Sequence, residues 1–397
     1  MDSMSPSGAV ETVAKTAGRT VARVDTFVVE AGWRNFLIVK ITTSDGIVGW
    51  GDGTLGWKEF AVEALVREFA ERYLVGRDPF RIEDLWFRLY QVEHNTGPVM
   101  YAAMAGLETA LWDIVGKACG QPLVNLFGGP VRDRVEFFWY LSRRSPAQVA
   151  ADAERAVKAG FRTLYLKVGS DNPADDIERV EAVRDGAGPD ALIRVDANEA
   201  WSSAAAIRIV RELERFGLEL VEQPVSGRNL PEMAYVRGRI NSPLLANEAS
   251  WTRHDQLEVI RHGAADVLSV DNQMDGGLLN LKRSAGLCEV AGLPVLKHSL
   301  GELGVAVYAA VHVMASTPNF VCANQSYASF LADDVLADAS PLPYKDGCLA
   351  VPHRPGIGVD LDLDRVAKYA ELYERQGRAF AFHEPAALAA TPVIPKF

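Results

Sequence analysis

From about Val21 to Gly53, short runs of Val, Ile and Phe are broken by the turn Ser44-Asp45-Gly46, a pattern that predicts strands of an antiparallel sheet. Apolar positions then recur with helical spacing over residues 59–73 and 82–90, and an Ala-rich helix is predicted over 101–119, stopped by Gly120. Strands followed by a block of helices describe an α+β unit. After Pro130 the texture changes to a regular alternation of short apolar runs with longer helical stretches. The predicted strands are 135–142, 163–168, 192–197, 218–223, 243–247, 267–271, 294–298 and 320–324. Helices are predicted between them, for instance over 146–159, 204–216 and 278–291, with Gly160, Gly217 and Gly292 where helix C-caps belong. This alternation points to an α/β barrel of the TIM type rather than a doubly wound sheet. No G-x-G-x-x-G follows a strand to favour the latter.

At 397 residues the chain exceeds what one growing hydrophobic core accommodates. The expected organisation is a frayed tail over 1–20, an α+β capping domain over 21–133, a barrel over 134–345, and a segment over 346–397 that returns to the capping domain. A formal charge of −11 leaves no basic stripe for nucleic acid, and an acidic surface is repelled by anionic membranes. An anionic substrate would need local cations or a metal to attract it against that field. The cysteines Cys119, Cys288, Cys322 and Cys348 form no C-x-x-C pair and read as reduced core residues. The N-terminal stretch lacks the apolar segment of a signal peptide, and no apolar run is long enough to span a bilayer. A cytoplasmic location is therefore expected, together with a small-molecule partner and a homo-oligomeric state.

Catalytic groups of a (β/α)-barrel stand at the C-terminal ends of its strands. Here those ends are acidic: Arg194-Val-Asp196-Ala-Asn198, Leu220-Val-Glu222-Gln-Pro, and Leu245-Ala-Asn-Glu248. Any one of these acids would pass for a helix N-cap or a surface ion pair. Three on consecutive strands, 26 positions apart each time, are expected to converge and repel. A hard divalent cation relieves that repulsion, and few carboxylates with positions left for substrate oxygens describe Mg²⁺ better than Ca²⁺. Alternation along Thr163-Leu-Tyr165-Leu-Lys167 places Tyr165 and Lys167 on the same inward face. Burial and a nearby cation are expected to make Lys167 a neutral base, a structural salt bridge to a carboxylate being the alternative. Asp271 and His298 end adjacent strands, where the carboxylate can hold one ring nitrogen and raise the basicity of the other. Glu93-His94-Asn95-Thr96-Gly97 is a polar patch that could line the same site.

Asp-Ala-Asn at 196–198, Val-Glu-Gln-Pro at 221–224, the Glu248 strand, the Asp271/His298 pair and Lys167-Val-Gly together resemble the mandelate racemase subgroup of the enolase superfamily. The resemblance covers nearly the whole chain. Gly46-Ile-Val-Gly-Trp-Gly, Ala110-Leu-Trp-Asp and Leu126-Phe-Gly-Gly-Pro-Val-Arg-Asp are similar to that family's capping domain and its passage into the barrel. The resemblance implies removal of a proton α to a carboxylate, with one Mg²⁺ on Asp196, Glu222 and Glu248, and with Lys167 and His298 flanking the α-carbon. A lysine or histidine base working beside Mg²⁺ is the known pattern of enolase-superfamily sites. Two departures bear on the reaction. Tyr165 and Lys167 stand where the racemase pattern has two lysines, an arrangement similar to some acid-sugar dehydratases. Asn324 and Gln325 stand where that pattern has a glutamic acid, so electrophilic help would come from elsewhere, with Glu302 a candidate. Asn198, Glu302, Trp33, Arg34 and His94 are the expected substrate contacts, suited to a polyol acid. Dehydration of an acid sugar to a 2-keto-3-deoxy acid is the expected reaction, with racemisation, epimerisation or cycloisomerisation as the alternative.

Overall fold

The computed structural model describes residues 18–31, 34–93, 97–327, 330–331, 333–338 and 342–377. Strands β1 (Val21–Glu30), β2 (Asn35–Thr43) and β3 (Val48–Asp52) form an antiparallel sheet in that order. The sheet is buried on both faces. Leu37, Val39 and Ile41 pack into a core shared with helices α1 (Glu59–Phe69), α2 (Ile82–Glu93) and α3 (Pro98–Cys119), whereas Phe36, Ile38 and Trp50 join the core of the barrel. Alternation along β2 therefore fastens the two cores to one strand.

Two glycines make this packing possible. A Cβ at Gly49 would lie 2.1 Å from the Ala110 carbonyl oxygen, and one at Gly51 would lie 2.0 Å from that of Gly106. The β3 backbone thus rests directly on α3, which is the physical content of the Gly-Trp-Gly motif and its Ala110 partner. Buried Asp113 locks the contact: one carboxylate oxygen accepts from the Trp50 amide at 3.0 Å and Lys117 Nζ at 2.7 Å, the other from the Ile357 amide at 2.9 Å. Gly51→Ala is expected to destabilise the protein by about 1–3 kcal/mol, the usual range for overpacking. An unchanged thermal melt would contradict this contact.

The second unit is one parallel sheet whose strands follow in sequence order: β5 (Trp139–Leu141), β6 (Thr163–Lys167), β7 (Leu192–Asp196), β8 (Leu218–Glu222), β9 (Leu244–Ala246), β10 (Val267–Val270) and β11 (Val295–Lys297). Helices alternate with these strands along the chain, giving a modified TIM barrel. Leu220, Leu245, Val267 and Leu296 form a small apolar cluster of their own, supplied by four successive strands. Fully buried Arg194 donates to the Ala323 carbonyl at 3.1 Å and pairs with Glu219 at 3.1 Å.

Two predicted strands differ from the observed ones. The run 135–142 divides into β4 (Arg134–Glu136), which pairs antiparallel with β12 (Cys348–Ala350), and β5 in the barrel. The run 320–324 makes only isolated bridges, Phe320 to Val295 and Asn324 to Phe137. It still closes the barrel between β11 and the start of β5, but a side chain replaces part of the ladder. Asn324 Oδ1 accepts from the Lys297 amide at 2.8 Å and its Nδ2 donates to the Glu136 carbonyl at 3.0 Å. The cysteines are free, but Cys119 is exposed and only Cys288 is fully buried, because Cys119 ends α3 at the surface. Helix Leu363–Gln376 packs on β1. No helix among the described residues is long and apolar enough to cross a membrane.

Candidate active site

The strand-end residues singled out from the sequence meet at one end of the barrel, and three of its backbone positions are unusual. Asn198, Glu199 and Gln223 have φ of 44°, 65° and 38°, a region that non-glycine residues seldom occupy and that tends to mark functional sites. Gln223 shows what its turn accomplishes. Its buried carboxamide accepts from the Asn247 and Ala249 amides at 2.9 and 3.2 Å and donates to the Val225 carbonyl at 2.9 Å, clamping the loop that carries Glu248.

Asp196 and Glu222 are fully buried and opposite one another in the β7–β8 register. One Asp196 oxygen accepts from both Tyr165 Oη and Lys167 Nζ, and the other from the Asn198 amide at 2.8 Å. Glu222 accepts from Asn247 Nδ2 at 2.8 Å and Gln325 Nε2 at 3.0 Å. Glu248 Oε1 accepts from Asn198 Nδ2 at 2.8 Å, whereas buried Glu248 Oε2 has no hydrogen-bond partner. Glu222 and Glu248 are both perturbed by the charge of Asp196. Burial, then the charge of Asp196, raises Glu222 well above its ordinary range and Glu248 to about 7. Among the described residues, no three His, Cys, Asp or Glu side chains are already gathered closely enough to grip an ion. Each acid here turns to a nitrogen or hydroxyl donor instead of to a common centre. The donor chemistry nevertheless fits a hard cation: three oxygen ligands, two of them with raised affinity for a positive charge, and one orphaned buried oxygen.

The protein's own groups do not by themselves push Lys167 toward a neutral amine. Burial acts to lower its pKa, but Asp196, Tyr327, Glu222 and Tyr140 outweigh it, so the ammonium is held well above its ordinary value. The salt bridge to Asp196, weighed as the alternative for Lys167, is present. Tyr327 and Tyr140 were not singled out from the sequence. They meet with ring centroids 5.1 Å apart, and Tyr140 also lies against Tyr165 at 5.5 Å. The signal was available in part, since Tyr327 lies two residues beyond Gln325 and hence on the same side of an extended segment.

On the opposite flank, His298 Nδ1 lies 2.9 Å from Asp271 Oδ2. The other Asp271 oxygen accepts from the Gln273 and Met274 amides at 2.6 and 3.0 Å. Burial alone would raise Asp271, but Lys297 and His298 reverse the effect and hold it below its ordinary value. An ionised Asp271 keeps the proton on Nδ1 and leaves Nε2 as the working nitrogen. Glu302, expected to contact substrate, is instead committed: it is buried in an ion pair with Lys297 and accepts from Ser299 Oγ. Asn198 donates its Nδ2 to Glu248. Arg34 crosses from the capping sheet and donates to the Leu300 carbonyl beside the His298 loop. Its pKa falls to about 10, chiefly by burial, with Tyr327 opposing. Trp33 and His94 lie outside the described residues.

The chain matches known families along most of its length. Residues 148–366 match the family model described as enolase C-terminal domain-like, and residues 10–128 match the mandelate racemase / muconate lactonizing enzyme N-terminal domain. The chain is 31% identical over 352 residues to an L-Ala-D/L-Glu epimerase of Bacillus subtilis, covering 87% of this chain and 92% of that one. It is 32% identical over 388 residues to a D-galactonate dehydratase family member of Streptomyces bingchenggensis, covering 88% and 93%. Among solved structures, an isomerase from Streptomyces coelicolor A3(2) superposes with a TM-score of 0.84 at 34% identity, covering 91% of this chain and 100% of that one.

Proposed function

Because the chain belongs to the mandelate racemase and muconate lactonizing enzyme family of the enolase superfamily, we propose that it removes the proton α to the carboxylate of an acid sugar and expels the β-hydroxyl, giving a 2-keto-3-deoxy acid. The observation that carries this reading is the order of groups across the sheet. Lys167 ends β6 and His298 follows β11, and the carboxylates of Asp196, Glu222 and Glu248 belong to the strands between them. A substrate carboxylate drawn to the middle of that row would present its α-carbon to a nitrogen on either side.

Mg²⁺ held by Asp196, Glu222 and Glu248 would supply a Lewis acid that offsets the charge gathering on the substrate carboxylate as the α-proton leaves. Compensating the Asp196 charge removes the largest influence that keeps Lys167 protonated, which brings its amine toward the range of a working base. In the proposed division of labour, one of Lys167 and His298 takes the α-proton. The other donates a proton to the departing hydroxyl, which leaves as water, and the resulting enol tautomerises to the ketone. Arg34 and the phenols of Tyr140 and Tyr327 are the proposed contacts for the remaining hydroxyls.

Relatives named as sugar-acid dehydratases support this reading, and those named as epimerases support a second one, in which the enolate is reprotonated without loss of water. The two are separated by incubating the protein and Mg²⁺ with a panel of aldonic and aldaric acids and trapping ketone with semicarbazide. Ketone from at least one acid is the expected result. Exchange of the α-proton in D₂O with no ketone from any acid would overturn dehydration in favour of the epimerase reading.

A further inference from the structure

We propose that a cavity in the capping domain, sharing no residue with the candidate active site, binds a small anion of several negative charges through arginines that converge on it from three segments of the chain.

The cavity has a volume of about 670 Å³ and lies between the start of β1, the turn after α1, and α2. Five arginines line it. Arg19 precedes β1, Arg72 stands in the π-helical turn Ala70–Leu74 that extends α1, and Arg77 in the connection to α2. Arg81 comes just before α2 and Arg88 lies within it, seven positions on and therefore on the same face. Backbone bonds tie the connection to the sheet: the Arg77 carbonyl accepts from the Val21 amide and the Val21 carbonyl from the Gly76 amide, both at 2.8 Å.

Among the described residues the lining holds two acids, Asp78 and Asp84. Asp78 turns to its own loop, where Oδ1 accepts from the Phe80 amide at 2.9 Å. Asp84 is left to answer three arginines. Its Oδ1 accepts from Arg88 Nε at 3.0 Å, and its Oδ2 lies 3.3 Å from Arg81 Nη2. The charge of Arg77 reaches Asp84 too, yet its guanidinium makes no hydrogen bond or ion pair among the described residues. Arg19 and Arg72 pair with Asp45 at 2.7 Å and Glu68 at 3.0 Å, acids outside the lining. Even with those two counted, five guanidiniums meet four carboxylates, in a chain whose formal charge is −11.

A row of arginines along one helix would be an ordinary solvated face. Here they surround a concavity and oppose the sign of the whole protein, which is how a charged ligand is drawn to one place. Each guanidinium has five N–H donors, and these ion pairs leave most of them for an incoming anion. The volume is that of a small-molecule site, and guanidinium forks match the paired oxygens of phosphate and carboxylate groups. The ligand class is therefore a small polyphosphate or polycarboxylate.

Isothermal titration calorimetry on the metal-free protein at low ionic strength tests the site with inorganic pyrophosphate and, separately, with citrate. One-to-one binding of at least one of them is expected, weakened about tenfold or more in Arg77→Gln/Arg88→Gln. Both side chains are exposed, and should the double variant fail to fold, Arg77→Gln alone, which breaks no bond within the protein, is expected to weaken binding in the same direction. Pyrophosphate bound without citrate identifies a phosphate-bearing ligand, citrate without pyrophosphate a polycarboxylate, and both together a site that reads charge alone. Lys167→Ala is expected to bind as the wild type does. No binding of either anion, equal affinity in the wild type and the arginine variants, or binding lost in Lys167→Ala overturns the proposal.

Discussion

Replacing Lys167 by alanine is expected to lower turnover by about 10²–10⁴-fold, the range that a positioned acid or base contributes. The same variant should bind Mg²⁺ at least as tightly as the wild type. Lys167 and Tyr165 both donate to one oxygen of Asp196, a residue that would help hold the cation, so removing the ammonium frees a ligand rather than losing one. Calorimetric titration with Mg²⁺, run beside α-proton exchange in D₂O, reads both effects. Loss of exchange with metal binding intact is the result expected of a base. Exchange at the wild-type rate would exclude Lys167 as the base, and turnover unchanged as well would leave it only a counter-charge for Asp196.

Glu248→Gln should abolish stabilisation by Mg²⁺ without unfolding the protein. At a concentration of about 100 times its dissociation constant, Mg²⁺ is expected to stabilise the wild type by about 2.7 kcal/mol. The variant removes one carboxylate and with it the oxygen that has no partner, while glutamine can still accept from Asn198. It also removes a charge that burial and Asp196 make unfavourable, so the metal-free variant should melt no lower than the metal-free wild type. Thermal melts with and without Mg²⁺ separate the two proteins. A variant that still gains the full metal-dependent shift would remove Glu248 from the ligand set.

The positions of the acids were legible because their signal is local. A carboxylate directly after an apolar run, repeated at the spacing of one βα unit, states its place on a strand whatever the rest of the chain does. The same holds for Lys167 with Tyr165 and for Asp271 with His298, where strand alternation and strand order suffice. The glycines of Gly-Ile-Val-Gly-Trp-Gly were legible only as a motif; their purpose, close contact with α3, required the helix to be in place.

What the sequence determined by itself was the barrel, its sheet-plus-helix cap, and the chemical character of the strand ends, since each follows from period and residue type over a few neighbouring positions. The partner of each polar group was decided only by tertiary structure. Glu302 went to Lys297, Asn198 to Glu248, Asn324 to the barrel backbone, and Lys167 to Asp196. All but the first of these join segments brought together by strand pairing in the sheet. A buried charge takes the nearest compensating group in space, and distance along the chain carries no record of which group that is.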